Sequence, residues 1–265
     1  MSARFGKWVR LGPFCEGLTT ALAVALASPV LSQPLAIPSA HHPEHSLAVS
    51  AAACRGMFSA PEGRFALQGP FLKASVAPLD FLDLSAQLGA ADWILEHVPN
   101  GQTWWSAGYQ AFGGVGAWFE PRASDQMGVF LALQATAGSS RGAFYRRSSQ
   151  NGMARITEWR ELKQRVLVTS LALGSSLELD GFKLHFGLSG RRWGRRLQEE
   201  YRERTDSGWS RYPSVIRNEE GKPLFGPYLA LELKLPGRFF LSLEGCRWDT
   251  YDYHVAIGIG QVGPP

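Results

Sequence analysis

Charge is scarce in this chain. Asp, Glu, Lys and Arg make up 19% of its 265 residues, against about a quarter in an ordinary soluble domain. That shortage excludes a coiled coil, which is built on Glu, Lys and Leu. Long apolar runs are missing as well: no stretch of ~18 apolar residues occurs, which rules out a helical membrane span. Cysteine is rare, with three in the chain. No Cys/His spacing of the zinc type is present, so neither a disulfide scaffold nor a structural metal is implied, and nothing points to a cofactor. What the chain does have is 29 Gly, 12% aromatic and 45% hydrophobic residues. That is enough apolar surface to exclude intrinsic disorder. Gly and aromatics in many short apolar stretches, with little charge, point to an all-β chain.

Residues 1–32 have the form of a secretory signal peptide. Arg4, Lys7 and Arg10 make the basic n-region, residues 18–31 (LTTALAVALASPVL) the apolar core, and Val30-Leu31-Ser32 the small-residue site ahead of Gln33. Removing this segment takes Arg4, Lys7, Arg10 and Glu16 away, so the formal charge falls from +4 to +2. A chain so close to neutral does not ask for nucleic acid as a partner. Cys15 leaves with the leader. Cys54 and Cys246 remain, and an oxidising compartment permits them to be bonded or free. Residues 33–45 carry three Pro and His41, His42 and His45, and read as a flexible, solvated lead-in rather than a metal site.

From Ser46 onward the dominant signal is strict alternation, the mark of strands whose two faces meet different surroundings. Phe182, Leu184, Phe186 and Leu188 alternate with Lys183, His185, Gly187 and Ser189. Leu229, Leu231, Leu233 and Leu235 alternate with Tyr228, Ala230, Glu232 and Lys234. The same code runs through Leu241 and Leu243, through Val255 and Ile257, through Val129 and Leu131, and through Leu82, Leu84 and Leu88. The apolar face carries no charge in the middle of any of these strands. A lipid-facing Lys or Arg at mid-bilayer costs about 2–4 kcal/mol, so a transmembrane barrel demands this absence, whereas a soluble sandwich does not.

The connections follow suit. Asp180-Gly181 and Pro236-Gly237 are tight turns, while 146–163 and 191–224 read as long loops. Alternation of tight turns on one side with longer loops on the other is how outer-membrane barrels are built. The pattern predicts an antiparallel up-and-down transmembrane β-barrel over 46–262, with 263–265 as a tail. About ten strands are expected, near 46–58, 66–76, 82–95, 107–120, 127–145, 164–177, 182–195, 225–235, 238–248 and 252–262. Eight strands is the alternative, because 59–80 is the weakest stretch. Trp93, Trp104, Trp105, Trp159, Trp193, Trp209 and Trp248 fall at or beyond the outer ends, and Trp118 and Phe119 at the inner ends, as interfacial girdles do.

With signal segment, alternation, loop asymmetry and aromatic ends together, the chain resembles the bacterial outer-membrane β-barrel superfamily over residues 46–262. Members usually end on an aromatic residue. Here the last strand runs Ile259 to Val262 before Gly263-Pro264-Pro265. The resemblance implies export to the outer membrane, contact with membrane lipid and lipopolysaccharide, and passage through the barrel-assembly machinery.

The inward-facing charges are Lys73, Lys183 and Lys234 against Asp83, Glu232 and Glu244, with His185 among them. A balanced set in a narrow bore reads as a lumen network filled by side chains, in preference to an ion-selective pore. Arg191, Arg192, Arg195 and Arg196 sit where the strand leaves the bilayer, and Arg forks bind phosphate bidentately. Lipopolysaccharide phosphate and a solvated, salt-bridged loop are equal readings of that cluster. Asp252-Tyr253-His254 resembles the Asp-x-His half of the omptin protease site, though no matching Asp-x-Asp pair accompanies it. His185 is followed two residues on by Gly187, so the His-x-Ser of lipid A deacylases is lacking too. Asp252 and His254 are therefore weak catalytic candidates, and a structural or surface-binding barrel is the expected role. A narrow solute channel and a rim enzyme are the alternatives.

Overall fold

A computed structural model describes residues 46–263, apart from 61–62, 98–102, 107–108, 123, 125, 151–152, 206–207 and 251. The expected leader, the lead-in and all of the tail but Gly263 lie outside the described residues.

The alternating stretches form strands β1 (Leu47–Ala60), β2 (Gly63–Leu79), β3 (Leu82–His97), β4 (Thr103–Ser106), β5 (Gln110–Phe119), β6 (Met127–Gln150) and β7 (Met153–Leu179). They continue as β8 (Phe182–Thr205), β9 (Gly208–Arg211), β10 (Val215–Glu220), β11 (Leu224–Leu235), β12 (Phe239–Arg247) and β13 (Tyr253–Val262). Ten of these are staves of one antiparallel sheet: β1, β2, β3, β5, β6, β7, β8, β11, β12 and β13. The sheet closes on itself, since β1 pairs with β13 from Ala48 opposite Val262 to Gly56 opposite His254. The short strands β4, β9 and β10 pair with the far ends of β6 and β8. Ten, not eight, is the stave number, and β2 is continuous through the stretch that reads weakest in the sequence.

Closure fixes the tilt. An inward row starts at Gln126, just before β6, whose carbonyl accepts from the Glu178 backbone N–H, and passes through Lys183, Glu232, Ser242, Gly258, Ala52, Phe71, Gly89 and Phe112. It returns to β6 at Gly138. A row that climbs twelve residues per circuit of ten staves belongs to a tilted, narrow barrel.

The two faces differ as the alternation requires. Outward, Leu72, Leu84, Leu88, Val115, Val129, Leu133, Leu173, Leu188, Leu229 and Ile257 are exposed. So large an apolar surface marks a lipid-facing wall. Inward, Ala52, Phe71, Phe112, Phe130, Ala172, Tyr228 and Ala256 are buried. Both described termini and the turns at 80–81, 180–181 and 236–238 share one end, called here the turn end, while two-residue connections also join β1 to β2, β6 to β7 and β8 to β9 at the other. At two of those turns the backbone needs glycine, with φ +86° at Gly181 and +73° at Gly237.

The other end, the arm end, departs from expectation. The stretches 146–163 and 191–224 are strand for most of their length: β6 and β7 pair from Met127–Leu177 out to Gln150–Met153, and β8 runs on to Thr205. Beyond the apolar belt both faces meet water, so alternation fades while ladder hydrogen bonds and cross-strand ion pairs keep the strands together. Arg141 lies 2.5 Å from Glu161 and Arg211 lies 2.8 Å from Glu200, and Arg217 pairs with Glu199. Tyr212 donates to Glu203 at 3.0 Å, which holds its phenol above the usual range.

The aromatic girdle is corrected in part. Phe119 faces outward as expected. Trp118, Trp193 and Trp248 are 4%, 8% and 9% exposed and pack inside the barrel. Trp209 is exposed. The side chains of Trp93, Trp104 and Trp105 lie outside the described residues.

Candidate functional site

The lumen is where buried polar and aromatic side chains gather, and two sets of contacts cross it. Towards the turn end, Trp118 on β5 and Phe130 on β6 stack with ring centroids 4.6 Å apart. His185 on β8 stands edge-on to both, at 5.1 and 5.6 Å, and Tyr228 on β11 tilts against Phe130. A disc of four rings from four staves thus crosses the bore.

Beneath it Glu120, just past the end of β5, is a hub. Its carboxylate lies 2.6 Å from the Lys183 ammonium and accepts from Ser176 Oγ at 2.5 Å and from Trp118 Nε1 at 2.8 Å. Nearer the arm end, Arg191 on β8 reaches across to Asp252 at 2.9 Å. It also donates to the Met57 carbonyl at 3.4 Å and lies over the Trp248 ring at 4.4 Å. Asp252 accepts from the Ser59 backbone at 2.9 Å as well. This second crossing ties β1, β8 and the β12–β13 connection. Side-chain amides fill the wall beside it: Gln87 and Gln134 donate to Thr136, and Gln164 to Ser140.

Lys73, Asp83, Lys183, His185, Glu232 and Glu244 are buried inside the barrel. Lys234 is not in the bore: it sits exposed at the turn-end rim, 2.6 Å from Glu178, because β11 has by then reached the mouth. The balance expected among the predicted charges is drawn partly from elsewhere. Lys183 takes Glu120, and the Glu232 oxygens have no hydrogen-bond partner among the described residues.

Asp252 and His254 both face inward but do not pair. The His254 ring meets Glu244 at 2.8 Å, while Asp252 is taken by Arg191. His254 is 2% exposed, so its imidazole is turned into the barrel and away from the rim surface.

The Arg cluster also divides. Period two sends Arg191 and Arg195 inward, where Arg195 binds Glu219 at 2.9 Å, and sends Arg192 and Arg196 outward, Arg192 onto Glu220. Four consecutive-looking cations are therefore two pairs on opposite faces. Cys54 and Cys246 are free, buried thiols.

Sequence reading missed Glu120, Glu178, Glu219 and the ring disc. Glu120 was within reach: it follows Trp118 by two residues and so shares its inward parity.

Fold and lumen together define a class, the antiparallel up-and-down β-barrel with a lipid-facing wall. No family model matches the chain, and no curated protein matches it. Among solved structures it is similar to the translocator domain of the autotransporter NalP from Neisseria meningitidis, with 9% identity and a TM-score of 0.46, covering 96% of this chain and 95% of that one. It is similar also to the outer-membrane protease OmpT from Escherichia coli, with 10% identity and a TM-score of 0.40, covering 83% of this chain and 94% of that one. A major outer-membrane protein from Thermus thermophilus follows at 9% identity and a TM-score of 0.32, covering 82% of this chain and 98% of that one. These likenesses concern the fold alone.

Proposed function

We propose that this chain is an outer-membrane barrel with a closed bore, whose role lies at the cell surface rather than in passing solutes. In that reading the turn end faces the periplasm, and the arms made by β6–β10 project outward to meet a partner. The observation that carries it is the double crossing of the lumen, by the ring disc around Phe130 and by the Arg191–Asp252–Trp248 bridge. The charged arms support it too, since they present cross-strand ion pairs on paired strands beyond the apolar belt.

Two measurements test this proposal. Fractionation with heat-modifiable gel migration should place the folded protein in the outer membrane. Reconstituted into planar bilayers, the protein should give no steady conductance. Uniform single-channel steps from the unmodified chain would replace this proposal with the narrow-channel one.

A further inference from the structure

Two open hollows on the outer wall meet at a pair of arginines. The lower, of ≈ 810 Å³, is lined by Leu88, Ala111, Gly113, Ala137 and Leu167. The upper, of ≈ 540 Å³, is lined by Arg141, Lys163 and Gln198. Arg165 and Arg196 border both hollows, and no carboxylate lines either.

The register explains the arrangement. Leu88 opposes Gly113, Gly113 opposes Ala137, Ala137 opposes Leu167, and Leu167 opposes Gly194, giving one outward row of two large and three small residues. The next outward row, about 7 Å nearer the arm end, holds Ser139, Arg165 and Arg196. Apolar dent and cationic rim are therefore stacked across the edge of the lipid-facing belt. On β8 that belt of Phe182, Leu184, Phe186 and Leu188 gives way to charge at Arg192.

Arg165 and Arg196 oppose one another directly, with Cα atoms about 5 Å apart, an arrangement that destabilises a sheet when the charges are alike. Neighbouring cations are neutralised within the chain. Arg192 has Glu220, Arg195 has Glu219, and Arg141 and Lys163 share Glu161. Among the described residues Arg165 and Arg196 have no such anion. The small residues below them are not demanded by packing. A Cβ on Gly194 would meet nothing nearer than the Glu219 carbonyl oxygen at 3.9 Å, and one on Gly113 nothing nearer than 3.4 Å. A glycine that a strand does not need marks a place where something else comes close.

The geometry points to a binding site for a phosphate-bearing lipid of the surrounding leaflet, with its phosphate between Arg165 and Arg196 and an acyl chain along the Leu88–Leu167 dent. Two guanidinium forks match phosphate oxygens bidentately, and the dent is continuous with the wall that lipid already covers. The site needs the barrel to lie in a bilayer but does not depend on whether the bore is closed.

The test titrates the detergent-solubilised full chain with lipid A and reads occupancy by native mass spectrometry. R165Q/R196Q should weaken association by about 10-fold or more, since charged hydrogen bonds are the strong ones. G194L, which fills the dent, should weaken it by about 5-fold, as loss of part of an apolar contact does. R204Q, on the arm, should leave it unchanged. Without lipid, R165Q/R196Q should melt at or above the temperature of the unmodified chain, because an opposed like-charge pair has gone. Inorganic phosphate should fail to compete at millimolar concentration. Equal association by R165Q/R196Q overturns the proposal, and so does a lowered melting point. Association lost to inorganic phosphate and untouched by G194L also overturns it, leaving a free-anion site.

Discussion

Exchanging Glu120 for Gln will weaken the folded barrel by about 3–5 kcal/mol, the range for removing one partner of a buried ion pair. Glu120 is 5% exposed and gathers donors from three places: Lys183 on β8, Ser176 on β7 and Trp118 two residues back on β5. Glutamine keeps one acceptor oxygen and turns an NH₂ towards either an ammonium or an indole N–H. Lys183, 3% exposed, is then a buried cation without its carboxylate. The double exchange Glu120→Gln with Lys183→Met should recover more than half of the loss, because the uncompensated charge has gone as well. Glu232→Gln is the contrast. It is as deeply buried, yet neither oxygen has a protein hydrogen-bond partner among the described residues, so the change should stay within about 1 kcal/mol. Urea unfolding in lipid vesicles, followed by tryptophan fluorescence, reads all three. A midpoint for Glu120→Gln equal to that of the unmodified chain would mean that Glu120 does not hold the barrel together.

That hub shows where the sequence was legible and where it was not. The ten staves could be read because inside and outside are different solvents along the belt, and period two records the difference residue by residue. Phe182, Leu184, Phe186 and Leu188 against Lys183, His185 and Ser189 needed no structure. Past Arg192 the contrast disappears, since both faces of the arm carry charge, and a strand with two polar faces reads as loop. What holds β6, β7 and β8 together there is pairing between chain segments, such as Arg141 with Glu161. A pattern along one strand does not contain that information.

Face and height are also separate quantities. Clustering by sequence grouped Arg191, Arg192, Arg195 and Arg196 by height, and the parity that divides them into lumen and wall was already present in the strand. Trp193 fell to the same error: it shares the parity of Lys183 and His185 and turns inward with them. Partner identity was the least legible feature. That Asp252 meets Arg191 rather than His254 depends on the climb of the rows around the barrel. Shear is set by the whole closed sheet and by no local motif.

On the closed-bore proposal, the lumen should conduct only when both of its crossings are removed. The ring disc and the Arg191–Asp252 bridge lie at different depths, on β5, β6, β8 and β11 in one case and on β1, β8 and the β12–β13 connection in the other. Trp118→Ala with Phe130→Ala clears much of the disc but leaves Arg191 and Trp248 across the bore. Arg191→Ser with Asp252→Ser removes a buried ion pair as a unit, avoiding the isolated charge that a single exchange would leave, and leaves the disc intact. Each pair of changes alone should therefore remain silent in planar bilayers. The four together should pass ions, through a path walled by Lys73, Lys183, Glu232 and Glu244. Heat-modifiable migration confirms that each variant is a folded barrel before its conductance is read. Steady current through either two-residue variant, matching that of the four, would mean that one crossing closes the lumen by itself. Silence in the folded four-residue variant would mean that the amide wall of Gln87, Gln134 and Thr136 closes it too.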